Sequence, residues 1–377
     1  MNRNVENIQI SGIRRFYNRV SKVDGAISLT LGQPDFSVPK KIEESMIDAI
    51  KQGKTVYTPN AGILELRQAI SEYLKTLHIN YSDEEVCITI GGSEALFSIF
   101  TALINPGDKV LIPSPAYPAY ESIVKILGGE VVNYSLNDDF TLNCCELDRL
   151  IKEHKIKFVV LSYPCNPTGA VLTKEDRDSL SKIVADNDIT IITDEIYAAL
   201  CYDEYYSIAQ CDHLKEKIIY VSGFSKMFSM TGLRIGYFCA AEKYMKEIMK
   251  VHQYNVSCAT SIVQWGVVTG LKECLADVEE MKGEFRKRRD YVYERLVSIG
   301  FEVVKPKGAF YIFPSIEKFN MSSEEFCLKV LNDKKVACVP GDAFGVKGEG
   351  FIRISYCYSI DELDRALSLI EEWVKGM

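Results

Sequence analysis

The stretch "SGFSKMFSMTGLRIG", residues 222–236, follows an apolar run, "KIIYVSG" (217–223), that reads as a buried parallel strand. Lys226 stands just past the end of that run, and Arg234 lies eight residues further on. A loop lysine after such a strand is ordinarily solvated surface, because lysines are seldom buried unless paired or functional. The neighbours argue for more. Ser225, Gly232, Arg234 and Gly236 are the residue types that bind an anion: a hydroxyl, a guanidinium fork, and glycines that let the backbone come close. A lysine beside an anion site implies a charged ligand.

Outward from this stretch, strand-like and helix-like segments alternate. "EVCITI" (85–90), "KVLIP" (109–113), "EVVNYS" (130–135), "KFVVLSY" (157–163), "ITIIT" (189–193) and "IGYFCA" (235–240) read as strands, with helical segments after the first, second and fourth. That pattern predicts an α/β fold with a mostly parallel sheet covered by helices on both faces. A charged helical stretch from Val278 to Ser298 looks like a connector. Beyond it, the short strands "FEVV", "AFYIF", "VACVP" and "FIRISY", with two helices, predict a smaller α+β domain. The expected division is a large domain over 46–277 and a small domain made of 1–45 and 278–377.

In open α/β sheets ligands sit beyond the carboxyl ends of the strands. "CITI" is followed by "GGSEAL", where Gly91 and Gly92 lead into a helix expected to begin at Ser93, a setting that suits a phosphate. "KFVVLSY" is followed by "PCNPTGAV", whose prolines set a turn presenting Asn166; turn chemistry alone also explains it. "ITIIT" is followed by "DEIY". Asp194 and Tyr197 would share one side of a helical turn, and a helix N-cap at Asp194 is the competing reading. With Lys226 and Arg234, four strand ends carry polar groups that one ligand would use if it bore a phosphate, an aromatic nitrogen and an aldehyde. Pyridoxal phosphate bears all three.

The bulk numbers narrow the alternatives. The 377 residues are 25% charged and 47% apolar, with a formal net charge of −8 and a pI near 5.3. A nucleic-acid surface would need a basic footprint. The N-terminal twenty residues hold no apolar core of signal-peptide length, and no run approaches the ~20 apolar residues of a membrane helix. A cytoplasmic protein is expected, with neither nucleic acid nor membrane as partner. The twelve cysteines include no C-x-x-C and mostly fall in apolar segments, as buried small hydrophobes in a reducing compartment do. The four histidines have no metal spacing, so no metal site is expected.

Nearly the whole chain resembles the class I aminotransferases of the large pyridoxal-phosphate fold group, fold type I, typified by aspartate aminotransferase. The resemblance runs through "LGQPDF" (31–36), "YTPNAG", "GGSEAL", "NPTG", "DEIY", "SKMFSMTGLRIG" and "RISY". Within the group, "VHQYNVSCA" and "GAFYIFPSI" are most similar to the enzymes that aminate N-acetyl-L,L-diaminopimelate in lysine synthesis. The resemblance implies transfer of an amino group from an L-amino acid to a 2-oxo acid, with 2-oxoglutarate as the expected acceptor. The physiological donor stays open; aspartate or an aromatic amino acid is an alternative, as is carbon–sulfur β-elimination on the same scaffold. A cofactor-binding regulator is disfavoured by the acidic charge and by the absence of a DNA-binding module.

The same resemblance assigns roles. Lys226 would form the Schiff base and then serve as the proton carrier. Asp194 would keep the pyridine nitrogen protonated, with Tyr197 and Asn166 on the ring oxygen. Gly92, Ser93, Ser225 and Arg234 would hold the phosphate, and Tyr117 would stack on the ring unless it is simply a core tyrosine. Arg353 would grip the substrate α-carboxylate with help from Gly32 and Asn166, and Phe310 would line the pocket. Tyr57 matches a tyrosine that family members send into the neighbouring subunit's site, which implies a homodimer; a loop tyrosine buried in its own subunit is the alternative. Two positions depart from relatives: Gly223 replaces a phosphate-binding serine of several, and Ser93 stands where some aspartate-specific members carry a substrate-binding lysine.

Overall fold

The computed structural model describes residues 1–376. Its centre is a seven-stranded sheet: β1 (Val86–Thr89), β2 (Lys109–Ser114), β3 (Glu130–Ser135), β4 (Phe158–Ser162), β5 (Thr190–Asp194), β6 (Ile218–Gly223) and β7 (Gly236–Ala240). The spatial order is β1-β7-β6-β5-β4-β2-β3. β7 alone runs against its neighbours, pairing antiparallel with β1 and β6, while the other pairings are parallel. Five strands are buried along their whole length, which is why they read as unbroken apolar runs rather than alternating ones.

Side chains alternate between the two sheet faces. Cys87, Val110, Val160, Ile192 and Val221 join one core with Leu96, Ile99 and Phe100 of the Gly91–Leu103 helix and Ile248 of the Glu242–Asn255 helix. Val86, Leu111, Val159, Ile191 and Tyr220 face the other core, with Leu66, Leu147, Leu180 and Val263 from four further helices. Register carries the chemistry to one edge: Ser162 pairs with Asp194, Asp194 with Val221, and Gly223 with Gly236.

A separate core holds the smaller unit. It gathers Phe16, Leu29, Phe285, Phe310, Ile354 and Leu367. Tyr311–Ile312, Ile352–Ser355 and Val339–Pro340 form a small antiparallel sheet, and Ile27–Ser28 pairs parallel with Val336–Ala337. The connector is a 25-residue helix, Leu275–Ile299, which places Val278 in the large unit's core and Met281 to Leu296 in the small one's.

Three local features differ from the sequence expectation. "FEVV" makes only an isolated bridge, Glu302 to Ser315, rather than a strand. The helix expected from Ser93 already begins at Gly91, because Gly91 takes a φ of +71° and turns the chain directly out of β1. The division at residue 45 falls within a continuous helix, Lys40–Lys51. That helix belongs with the large unit, since Ile42 lies in its core and a Cβ on Gly266 would meet Met46 and Ile42.

Candidate active site

A cavity of about 250 Å³ opens at the carboxyl ends of β1, β4, β5 and β6, where the two units meet. Eleven of the residues singled out in the sequence line it: Gly32, Gly92, Ser93, Tyr117, Asn166, Asp194, Tyr197, Ser225, Lys226, Arg234 and Arg353. They come from both units and from segments more than 300 residues apart.

At the deep end Asp194 is 6% exposed. Its carboxylate accepts from the Tyr120 hydroxyl at 2.7 Å and from the Ile196 N–H at 3.2 Å. Burial pushes its carboxyl above the usual range, against Tyr120, the Ile196 N–H and the Lys226 charge. A buried carboxylate aimed into a cavity calls for a cationic partner there. Residues 196–197 form a turn, and the short 3-10 helix Ala198–Leu200 that follows is capped at Tyr197, so the bond from the Ile196 N–H to Asp194 is a local turn and not a helix cap.

In the middle stands Lys226. Its Nζ donates to the Gly32 carbonyl and lies about 6 Å from the ring centres of Tyr197 and Phe310. Burial pushes the ammonium down to about 8, with Arg234 and Arg353 adding to that and Cys357 and Asp194 opposing it. A free amine is therefore within reach near neutral pH, as a nucleophile or base requires.

The open end carries the anion cradle. Ile90 gives the Gly91–Leu103 helix no side-chain cap, and Gly92 and Ser93 of its first turn line the cavity at the positive end of the helix dipole. Arg234 holds a left-handed conformation, φ +50°, and donates from Nη1 to Thr231 O at 2.9 Å. Its Nη2 would sit 2.6 Å from a Cβ on Gly91, so that glycine is required for the guanidinium to reach the helix end. Gly223 has a similar reason. A Cβ there would meet Gly236 Cα at 2.9 Å, which leaves no room for the serine of other family members.

Arg353 lies on the small-unit wall and is 2% exposed. Nη1 donates to Asn166 Oδ1 at 2.9 Å and Nη2 to the Thr30 carbonyl at 2.7 Å. The guanidinium lies 4.3 Å from the Tyr311 ring centre and 5.0 Å from that of Phe344, while Nε has no partner. A fork held in one plane this way suits a carboxylate. Tyr197 and Tyr311 join hydroxyls at 2.9 Å.

Two expected residues are not among those lining the cavity. Phe310 is fully buried behind Tyr197, ring centres 5.4 Å apart. Tyr57 is 87% exposed on a surface loop, so it is not buried in its own subunit. Sequence reasoning in turn missed Tyr120, Tyr311, Ser162, Thr30 and Ile13, all lining the cavity. The doublet "AYPAY" held one usable signal, a second aromatic three residues after Tyr117.

A buried carboxylate, a lysine with a lowered pKa and an uncapped helix end beside an arginine stand in sequence along one cavity. They fit the ring nitrogen, aldehyde and phosphate of pyridoxal phosphate respectively. Among the described residues no cluster of three or more His, Cys, Asp or Glu could hold a metal, and no helix is long and apolar enough to cross a membrane.

Comparison with known proteins agrees. Residues 24–370 match the family described as aminotransferase class I and II. The chain is 44% identical to a probable N-acetyl-LL-diaminopimelate aminotransferase of Bacillus subtilis, covering 99% of this chain and 95% of that protein. It superposes on the aromatic aminotransferase of Pyrococcus horikoshii with a TM-score of 0.91 at 39% identity, over 96% of this chain and 99% of the other. The aspartate aminotransferase of Thermus thermophilus with maleate gives 0.94 at 32% identity, over 99% of both. The chain belongs to the class I and II aminotransferases and is a pyridoxal-phosphate-dependent enzyme that moves an amino group from an amino acid to a 2-oxo acid.

Proposed function

We propose that this aminotransferase draws its amino group from N-acetyl-L,L-diaminopimelate and passes it to 2-oxoglutarate, working as a cytoplasmic homodimer. The observation that carries the chemistry is the pairing of Lys226 and Arg353 in one cavity. Arg353 binds the substrate α-carboxylate, steadied by Asn166, the Thr30 carbonyl and the Tyr311 face, with Gly32 at the same edge. That contact turns the Cα hydrogen toward Lys226. When bound, pyridoxal phosphate supplies an electron-poor ring that takes up the electron pair left at Cα.

Lys226 Nζ removes the proton from Cα as an amine. Asp194 keeps a proton on the ring nitrogen, and Tyr120 fixes that carboxylate by hydrogen bond. With the cofactor bound, Asn166 and Tyr197 would hold the ring oxygen, Tyr117 would stack on the ring, and Gly92, Ser93, Ser225 and Arg234 would hold the phosphate. Phe310 backs Tyr197 and shapes the wall behind it.

Support for the dimer comes from exposure. Ser93 and Arg234 are exposed in the single chain, whereas Asp194 and Arg353 are buried. Val56, Tyr57 and Tyr254 are 73%, 87% and 89% exposed, an unusual display of apolar surface. A second copy presenting Tyr57 would complete the phosphate end. The donor assignment draws on the Bacillus relative.

A donor screen with the purified enzyme and 2-oxoglutarate tests it. N-acetyl-L,L-diaminopimelate should give the highest kcat/KM among it, aspartate, alanine and the aromatic amino acids. A higher value for aspartate or phenylalanine overturns the donor. Pyruvate released from cystathionine without any 2-oxo acid would instead favour elimination.

A further inference from the structure

His252 lies outside the cavity, on the Glu242–Asn255 helix, and is 0% exposed. Its Nδ1 is 3.2 Å from Glu94 Oε1 and its Nε2 is 2.9 Å from the Asn60 carbonyl. A backbone carbonyl can only accept. Glu94 already accepts from the Ser98 hydroxyl at 2.5 Å and from the Ile90 N–H at 3.2 Å, the pattern of an ionised carboxylate. Both ring nitrogens thus face acceptors, and only the doubly protonated imidazolium supplies two donors.

The two acceptors belong to different functional segments. Glu94 reaches back to the N–H of Ile90 and so fixes the chain entering the helix whose Gly92 and Ser93 line the cavity. Asn60 lies three residues after Tyr57, in a loop otherwise pinned by side chains of the large unit. Its Nδ2 donates to Ser257 O, and Gln264 accepts from the Ile63 N–H and donates to Thr58 Oγ1. Among the described residues His252 is the one side chain that joins this loop to the helix end by hydrogen bonds.

We propose that His252 is a positioning residue: a buried imidazolium that locks the Tyr57 loop to the anion-binding helix end and thereby sets the affinity for the cofactor phosphate. The part through Tyr57 rests on the cross-subunit reading given above. Burial alone would push this imidazole down. The Glu94 hydrogen bond and charge, with the Asn60 carbonyl, push it up and prevail. The charged side chain facing the ring is Glu94; Ser98 and the Asn60 carbonyl complete its polar surroundings. With a pKa above the ordinary imidazole value, the lock is complete at acidic pH, persists above the pH at which a free imidazole loses its proton, and fails as pH rises through the raised value.

Two measurements test this. The first is ring-nitrogen NMR of the wild-type holoenzyme labelled with ¹⁵N-histidine, where one of the four rings should keep both N–H groups at a pH where an ordinary imidazole has lost one. A neutral, single-tautomer ring in every histidine at pH 7 overturns the proposal without any variant. The second is absorbance titration of pyridoxal phosphate into stripped wild type, His252→Gln and Tyr57→Phe between pH 6.5 and 9. His252→Gln should raise the dissociation constant about tenfold at pH 7, the cost of one buried acceptor left unpaired, with the gap to wild type closing at high pH. An unchanged constant, or a gap independent of pH, overturns it. If Tyr57→Phe alone changes nothing while both His252 results hold, the cross-subunit role of Tyr57 is refuted and His252 is left tied to the helix end only.

Discussion

Lys226 should destabilise the cofactor-free protein, and replacing it with methionine should make that protein more stable at neutral pH. The folded-state pKa of about 8 lies well below the ordinary lysine value of 10.5. The unfolded chain therefore binds more protons between those two values, so stability contributed through this group rises with pH across that window. Below pH 8 the full penalty is present. At ~1.4 kcal/mol per pH unit the gap amounts to ~3 kcal/mol, and water in the open cavity screens it to ~2. Methionine keeps the side-chain length and removes the charge. It also loses the donor to the Gly32 carbonyl, which costs about 1 kcal/mol. The net gain at pH 7 is ~1 kcal/mol, falling to about zero by pH 9.5, where most of the penalty has already been relieved. Urea unfolding of stripped wild type and stripped Lys226→Met, followed by circular dichroism at the two pH values, reads this directly. A variant less stable than wild type at pH 7, or a difference that ignores pH, would refute the account of Lys226 as a cation held against burial.

Arg353→Lys should raise KM for the amino acid at least tenfold with a smaller change in kcat, because an ammonium cannot keep the Asn166 and Thr30 contacts and still present a fork; equal KM values would move the carboxylate elsewhere. Gly91→Ala forces φ +71° on an L-residue and sets a methyl 2.6 Å from Arg234 Nη2, so it should cost about 1–3 kcal/mol in thermal unfolding and weaken cofactor binding, both absent if the loop can shift freely. Mixing Tyr57→Phe with Lys226→Ala subunits under exchange, at limiting pyridoxal phosphate, should restore activity above the sum of the parents. No gain despite proven exchange would mean Tyr57 serves its own subunit.

The strand ends were legible because buried parallel strands are written as apolar runs, and each ends on a residue too polar for its surroundings. Asp194, Asn166 and Lys226 stand out for that reason. Tyr120 does not, since it sits on the buried face of a short amphipathic helix and looks like any core tyrosine until the fold brings its hydroxyl to Asp194. Tyr311 is hidden in the same way inside "GAFYIF". Glu195, next to Asp194, shows the reverse. It looks equally eligible in sequence, yet it points away to Thr193, Ser207 and Tyr205, and burial pushes its carboxyl up to about 7. The failed strand "FEVV" had the right composition, but pairing is a property of neighbours, and only Glu302 finds one.

Gly236 is hemmed in by the backbone of Gly91 and Gly92 on one side and pairs with Gly223 on the other; a Cβ there would meet Gly91 C at 2.7 Å. Three stretches of bare main chain therefore touch between the anion cradle and the segment bearing Lys226. Gly236 meets Gly91 and Gly92 backbone to backbone, so a side chain added there cannot adjust that interval by a fraction of an ångström; it can only break it. The wall proposed for substrate contact is built differently. Thr30, Tyr311 and Arg353 project from the other unit, with Tyr311 in that unit's core. Descendants of such a chain can repack that wall one residue at a time and acquire new donors while the reacting geometry is inherited intact.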